Sequence, residues 1–233
     1  MRNDSLLLTC EHGGNRIPRA LAPAFRGAGR ALASHRGWDP GALALARLLA
    51  RRLGRPLRAV TWSRLLVDAN RAPGNPRIWS PFTAALPRPE RLRILERWWW
   101  PHRRAVEAAV AAAAGRGRRV VHVAVHSFAP VLDGRVRSAD VGLLYDSRRR
   151  REAELCRRWI AILGRLDPEL RLRRNYPYRG DADGLTTWLR RRHPESRYLG
   201  VELEVNQARV GAPGWRRFQE RVAESLRELL AGR

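Results

Sequence analysis

The sequence predicts an α/β fold with a mostly parallel central sheet and helices on both of its faces. Short apolar runs, of which Val-Val-His-Val-Ala-Val at residues 120–125 is the clearest, alternate with stretches whose apolar residues recur at helical spacing. This alternation is typical of parallel sheets, because parallel neighbours need a long crossover connection that is usually a helix. The 233 residues are enough for one hydrophobic core, so we expect a single domain over residues 1–233.

The first strand and helix have clear boundaries in the sequence. Residues 6–9 form an apolar run that stops at a polar, glycine-containing turn, which predicts a buried strand. A helix is predicted over residues 41–53. Asp39 and Pro40 stand at its start, as an acidic cap and a first-turn proline, and Gly54 follows its end.

The other elements follow from the same signals. Further strands are predicted within residues 57–67 and at 120–125, 141–145 and 199–205. Further helices are predicted over residues 90–114, 149–164 and 213–230, and polar or proline-rich loops over 73–89 and 175–184. Pro101 is expected to kink the helix over 90–114 or to divide it in two.

Composition excludes several classes of protein. Hydrophobic residues make up 44% of the chain, which favours a folded domain over disorder. No apolar run approaches the roughly 18 residues that span a bilayer, and residues 1–5 lack the basic start of a signal peptide. We therefore expect a cytoplasmic protein with no membrane partner. Cys10 and Cys156 are too few and too far apart for a disulfide framework.

The formal net charge of +24 has two interpretations. The chain contains no lysine, so all 46 basic residues are arginine. Such a charge attracts nucleic acid, and an arginine-rich nucleic-acid-binding protein is the non-enzymatic alternative. The arginines are nevertheless spread from end to end, as expected for solvated helix faces, so we expect no specific nucleic-acid partner.

Polar side chains with catalytic chemistry follow the predicted strands. In open α/β sheets, active sites gather outside the carboxyl ends of the strands. Four such ends carry acidic, amide, histidine or arginine side chains, and they read Glu11-His12-Gly13-Gly14, Asp68-Ala69-Asn70-Arg71, His126-Ser127 and Glu202-Leu203-Glu204-Val205-Asn206. We expect these groups to meet at one edge of the sheet.

His12, Asp39 and His126 are the candidate metal ligands. Two imidazoles and one carboxylate leave a fourth position open for water, which is the pattern of catalytic zinc sites. The predicted cofactor is one Zn²⁺ or other divalent metal ion per chain. The alternatives are structural, because a histidine at a strand end is often only hydrogen-bonded and Asp39 could simply cap a helix.

Glu202 and Glu204 are the candidate general bases. They stand two residues apart on a predicted strand and therefore face the same side. Either could take a proton from water and pass it to a leaving amine, and Glu204 is favoured. Arg71 carries a guanidinium suited to a substrate carboxylate. Glu202 could instead pair with an arginine, and Arg71 could simply end a loop.

Five segments in order resemble the N-formylglutamate amidohydrolase family. They are Leu8-Thr9-Cys10-Glu11-His12-Gly13-Gly14-Asn15-Arg16-Ile17-Pro18, Ser63-Arg64-Leu65-Leu66-Val67-Asp68-Ala69-Asn70-Arg71, His126-Ser127-Phe128, Asn175-Tyr176-Pro177-Tyr178 and Glu202-Leu203-Glu204-Val205-Asn206-Gln207. The resemblance implies a fold of the phosphorylase/zinc-carboxypeptidase type and a zinc-dependent amidohydrolase acting on a linear amide, such as that of N-formyl-L-glutamate.

The resemblance also bears on the site residues. Related hydrolases commonly carry the acidic ligand three residues after the first histidine, where this chain has Asn15, whereas some amidases carry it at the start of the next helix, as Asp39 would be. Asn70 and Arg71 resemble the pair that grips a substrate carboxylate in carboxypeptidases. Arg179 is expected to hold a second carboxylate or to form a lid. The expected partner is a small N-acyl amino acid, and the second enzymatic alternative is a peptide or cell-wall amidase on the same scaffold.

Overall fold

A six-stranded, mostly parallel sheet forms the centre of the computed structural model, which describes residues 4–232. The strands of the described residues are β1 (Ser5–Cys10), β2 (Leu57–Ala59), β3 (Val120–Phe128), β4 (Val131–Leu132), β5 (Arg135–Val136), β6 (Val141–Leu144), β7 (Leu172–Arg174) and β8 (Tyr198–Asn206). The sheet order is β2-β1-β3-β8-β6-β7, and β4 and β5 form a separate antiparallel hairpin. In this order β2, β1, β3 and β8 are parallel, β6 runs antiparallel to β8, and β7 runs parallel to β6.

Helices cover both faces of this sheet. The α-helices of the described residues are α1 (Gly29–Ala33), α2 (Ala42–Leu53), α3 (Pro81–Ala84), α4 (Arg88–Ile94), α5 (Trp100–Gly115), α6 (Arg150–Leu166), α7 (Leu185–Arg190) and α8 (Trp215–Ala231). The main core packs α2, α6 and α8 against one face, and a smaller cluster packs α5 and α7 against the other. The predicted fold class is confirmed. Within residues 4–232, no helix has both the length and the apolar character needed to cross a bilayer.

Alternation along the strands directs the candidate site residues to the face covered by α5 and α7. Val121, Val123 and Val125 enter the main core on the other face, so His122 and His126 share the α5 side. Glu202 and Glu204 share that side too, because Ala124 and His126 of β3 pair with them in the parallel register. The sheet thereby collects these groups at one end of a single face.

The strand predicted within residues 57–67 exists, but its expected end next to Asp68 is wrong. Only Leu57–Ala59 is a strand, so Asp68 does not follow a strand end. The Val60 N–H still donates to the Cys10 carbonyl of β1, but beyond it the backbone bonds to loops, with Gly13 donating to the Val60 carbonyl and Ser63 to the Arg16 carbonyl. Apolar composition predicted burial correctly here, but these loop bonds satisfy the backbone without a ladder.

The expected capping of α2 by Asp39 is also wrong. Gly41 is the N-cap, at a φ of 81°, and no side chain caps this end. Glycine reaches this left-handed conformation without steric cost, and a Cβ here would also overlap the Val210 side chain. Asp39 is therefore free to turn its carboxylate towards the histidines. Gly54 ends the helix in the left-handed conformation, as predicted.

The helical segment around Pro101 is interrupted by a π turn and not by the expected kink or break. A π-helical turn, Leu95–Trp99, joins α4 to α5 immediately before it. Proline has no N–H to donate to the preceding turn, and the wider π turn is a common way for a helix to absorb such an interruption. The helical segment over residues 90–114 is otherwise confirmed.

The other predicted helices and strands are confirmed with small shifts of boundary, whereas the predicted loop over residues 73–89 contains the short helix α3. β3 runs on to Phe128, so His126 lies within the strand and not after it. β8 contains Glu202 and Glu204, as predicted, and is one residue longer at each end. Several short elements were not predicted, among them α1, α7, β7 and the β4–β5 hairpin. The outermost residues of the predicted domain, 1–3 and 233, lie outside the described part of the chain.

Candidate active site

Two histidines converge on the Asp39 carboxylate at the end of the sheet. His12 follows β1, and His126 lies near the end of β3. Asp39 Oδ2 lies 3.3 Å from His12 Nδ1 and 2.9 Å from His126 Nδ1. All three residues are buried, and one ligand atom from each lies within 4.8 Å of the others. The structure thus brings together the three residues that the sequence suggested as metal ligands.

Each histidine meets a second carboxylate with its other ring nitrogen. His12 Nε2 lies 2.7 Å from Asp68 Oδ1, and His126 Nε2 lies 3.1 Å from Glu11 Oε2. A carboxylate behind a metal-binding histidine fixes the ring orientation and raises the basicity of the ligating nitrogen. Sequence reasoning gave Asp68 and Glu11 no role, although both stood in the quoted strand-end segments.

The carboxylates control the protonation of the two rings. Burial disfavours charge on His126, but hydrogen bonds to Asp39 and Glu11 outweigh it and raise the histidine pKa well above its ordinary value. The pKa of His12 is raised as well, because the charges of Asp68 and Asp39 outweigh burial and the nearby Arg64. In the same way, the charges and hydrogen bonds of both histidines hold the pKa of the Asp39 carboxyl below its usual range despite burial.

Arg64 connects the two aspartates. Its guanidinium donates to Asp68 Oδ2 at 3.0 Å and lies 3.4 Å from Asp39 Oδ1. The two carboxylates raise its pKa further, although burial opposes this. Arg64 was not among the predicted site residues, and its position in the Ser63–Arg71 segment was the available signal.

The residues fit a divalent metal ion. The donor set is two imidazoles and one carboxylate, as in catalytic zinc sites, and its ring nitrogens are already oriented by carboxylates. With neutral histidines, three carboxylates and the Arg64 guanidinium leave two negative charges in this group. A divalent cation would balance them by replacing the protons that the metal-free rings hold.

Glu204 lies beside this cluster with one carboxylate oxygen unused. It pairs with His126 across the β3–β8 register, is 5% exposed, and its Oε2 is buried with no hydrogen-bond partner in residues 4–232. Burial, together with the charges of Asp39 and Glu202, raises the pKa of Glu204 to about 8 against the lowering effect of His126. Glu202 differs, because its Oε1 accepts a hydrogen bond from Thr186 Oγ1 at 2.7 Å.

The cluster opens into a cavity of about 500 Å³ that also contains the predicted substrate-binding residues. Arg71 donates to the Asp183 carbonyl at 2.5 Å, and Asn70 Oδ1 accepts from the Leu185 N–H at 2.7 Å. Arg179 stands at the rim, with 83% of its side chain exposed and an ion pair to Asp181 at 2.9 Å. The eight candidate residues therefore line one cavity.

Two other residues near the site have structural roles. A Cβ at Gly14 would overlap the Thr61 backbone, so the lack of a side chain there serves packing. The His122 ring is buried, and it is bonded to Thr9 Oγ1 at 2.8 Å and to the Tyr198 hydroxyl at 2.7 Å.

Comparison with known proteins identifies the family. The model of the N-formylglutamate amidohydrolase family matches residues 4–210. The chain belongs to this family. The match extends over most of the chain, whereas the resemblance seen in the sequence rested on five segments. No match was found among curated proteins.

Two solved structures are similar over nearly the whole chain. A gene product of Agrobacterium tumefaciens is 32% identical, with a TM-score of 0.81 over 99% of this chain and 90% of that one. An N-formylglutamate amidohydrolase from Ralstonia eutropha is 22% identical, with a TM-score of 0.67 over 96% of this chain and 92% of that one. The similarity to the Ralstonia eutropha structure supports the fold described here for this chain.

Proposed function

We propose that this amidohydrolase-family protein hydrolyses the amide bond of a small N-acyl amino acid, with N-formyl-L-glutamate as the first substrate to test. The observation that carries the proposal is the convergence of His12 Nδ1 and His126 Nδ1 on one buried aspartate oxygen, beside a glutamate with an unused oxygen. The family match supports hydrolysis of such an amide, and the ligand set supports metal assistance.

In this proposal, His12, Asp39 and His126 hold a divalent ion, zinc being the first candidate. When bound, such an ion would polarise the substrate carbonyl and lower the pKa of water towards neutrality. Asp68 and Glu11 keep the two rings oriented from behind.

Glu204 is the proposed general base and then general acid. Its raised pKa, about 8, lies close to neutral pH, where a group exchanges protons with water and amine most effectively. Oε2 is free of other hydrogen bonds within residues 4–232 and is therefore available to take a proton from the attacking water. The same oxygen would then deliver the proton to the leaving nitrogen.

Arg71 is proposed to anchor the substrate carboxylate with help from Asn70. Within residues 4–232 its side chain makes one hydrogen bond, from Nη1 to Asp183, which orients the guanidinium and leaves other N–H groups for a ligand. Arg179 would hold a second carboxylate or cover the cavity, and to do so it would have to leave Asp181.

A substrate panel tests this function. The full-length protein, reconstituted with zinc, is assayed for amine release from N-formyl-L-glutamate, N-formyl-L-leucine, N-acetyl-L-glutamate and a muramoyl-L-alanine amide. We expect hydrolysis of at least one N-acyl amino acid. Arg71→Ala should raise KM at least about tenfold, since a charge-assisted pair is worth roughly 1.5–3 kcal/mol.

Arg179→Ala is the matched control at the same cavity. It should change KM for N-formyl-L-glutamate but leave KM for N-formyl-L-leucine within about twofold, because leucine offers no second carboxylate. Cleavage of the muramoyl amide alone would overturn the proposal in favour of a cell-wall amidase. Turnover of none of these amides would refute amide hydrolysis of this class.

A further inference from the structure

Two consecutive residues in the first turn of α5, His102 and Arg103, reach different parts of the candidate active site from behind. Neither was singled out by its sequence context, and neither lines the cavity. We propose that they position the two halves of the site, His102 the metal-binding half and Arg103 the substrate-binding half. This inference rests on the proposed function.

His102 is connected to the metal-binding half through Glu11. Its Nε2 donates to Glu11 Oε1 at 3.1 Å, and the other oxygen of the same carboxylate lies 3.1 Å from His126 Nε2. Glu11 is fully buried, and the His102 side chain is 7% exposed. A buried carboxylate with one oxygen held by His102 has little freedom to rotate away from the His126 ring, so the helix fixes the orientation of a proposed ligand.

Arg103 is connected to the substrate-binding half through backbone carbonyls. Its Nη2 donates to the carbonyls of Ala69 at 3.0 Å and Arg71 at 3.1 Å, which flank Asn70 on both sides. Trp99 Nε1 donates to the same Arg71 carbonyl at 3.1 Å. Three hydrogen bonds from one helical segment therefore hold the backbone from which the proposed carboxylate anchor projects.

The burial of Arg103 is costly and is not explained by an ion pair. The side chain is 0% exposed, and its Nε and Nη1 have no hydrogen-bond partner within residues 4–232. The guanidinium instead lies over the rings of Trp99 at 4.7 Å and Trp188 at 5.4 Å. An apolar residue of similar size would fill this space without burying charge, but it could not bond the two carbonyls.

The π-helical turn before α5 helps to set which of its residues face the site. A π turn holds one residue more than an α turn, which rotates the following positions by about 100° relative to an uninterrupted helix. His102 and Arg103 follow this turn after Trp100 and Pro101, and consecutive helical residues are about 100° apart around the axis. One therefore contacts the side chain of Glu11, and the other contacts the loop after Asp68.

A crossed pair of measurements tests the proposal on the full-length protein. His102→Leu should weaken zinc affinity about tenfold in chelator competition, the lower end of the range for ligand-orienting partners, with KM for the best N-acyl amino acid unchanged. His102→Gln, whose amide can still donate to Glu11, should restore zinc affinity to within about threefold of wild type.

Arg103→Lys should do the reverse, raising KM about tenfold with zinc affinity unchanged and kcat within about threefold. Trp99→Phe removes one donor to the Arg71 carbonyl while keeping the ring, so it tests the same point if the lysine variant does not fold. Arg104→Lys is the control, since Arg104 is exposed and pairs with Glu96 on the surface; it should change neither quantity.

The outcomes separate this inference from the proposed function. Equal effects of the His102 and Arg103 variants on both quantities, or no effect on either, overturn the inference. If wild type hydrolyses no N-acyl amino acid, the proposed function fails. The zinc affinity of His102→Leu then still tests the metal-binding half. Calorimetry of L-glutamate binding to wild type and to Arg103→Lys tests the substrate-binding half. That half of the inference is overturned if the two proteins bind L-glutamate equally or if wild type does not bind it.

Discussion

Glu204→Gln should make the metal-free protein more stable at alkaline pH while it abolishes activity. Glutamine keeps the size of the side chain but cannot ionise. The raised pKa of about 8 means that the folded protein holds the Glu204 proton to a higher pH than the unfolded chain, whose value is the ordinary 4.5. The folded state is therefore unaffected by this group below about pH 4.5 and loses stability progressively as pH rises to about 8.

The size of the effect follows from the two pKa values. One pKa unit corresponds to about 1.4 kcal/mol. Because Glu204 ionises more easily in the unfolded chain than in the folded protein, it should cost roughly 3 kcal/mol of stability at pH 7 and roughly 4 kcal/mol at pH 8. Glu204→Gln removes this cost. Its loss of a general base should lower kcat by about 100-fold or more.

Urea denaturation of chelator-treated wild type and variant at pH 5 and pH 8 measures the stability change. The variant should exceed wild type by clearly more at pH 8 than at pH 5. Glu202→Gln is the matched control from the same strand face, and it should retain most of the activity if Glu204 is the base. A stability difference that is the same at both pH values would refute the burial argument, and full activity of Glu204→Gln would refute the catalytic role.

Two further substitutions test other parts of the structure. Asp68→Asn should weaken zinc affinity about 10- to 100-fold in chelator competition, because it removes the carboxylate behind His12; an unchanged affinity would exclude that role. Gly14→Ala should destabilise the protein by roughly 1–3 kcal/mol in urea denaturation, because its Cβ would overlap the Thr61 backbone; an unchanged midpoint would show that the loop yields easily.

The fold was largely predictable because its central strands are buried on both faces. β3 lies between β1 and β8, and all nine of its residues are buried; its apolar residues from Val120 to Val125 are interrupted only by His122 and are easily recognised. Peripheral elements lacked such a signal. The three-residue β7 and the six-residue α7 are too short for hydrophobic periodicity to reveal.

The candidate site was predictable where side chains sit at strand ends. His12, His126, Glu202 and Glu204 were singled out on that ground, and all four line the cavity. Asp39 was also singled out, with helix capping as the alternative role. The structure excludes that alternative, because Gly41 occupies the N-cap.

The supporting residues were not predictable in the same way. Glu11, Asp68 and Arg64 act on other side chains through contacts that join segments distant in the chain, such as the 56-residue separation between His12 and Asp68. His102 lies 91 residues from its partner Glu11. Single-sequence patterns carry no information on such pairings, which depend on how the sheet and α5 pack.

The most direct test of this account is the metal content of protein purified without chelator and reconstituted with zinc, measured by mass spectrometry for wild type and Asp39→Ala. The account predicts about one zinc ion per chain in wild type, loss of that ion in Asp39→Ala, and retention in the rim control Asp181→Ala. Wild type that binds no stoichiometric metal after reconstitution, or Asp39→Ala that keeps both its metal and its activity, would contradict it.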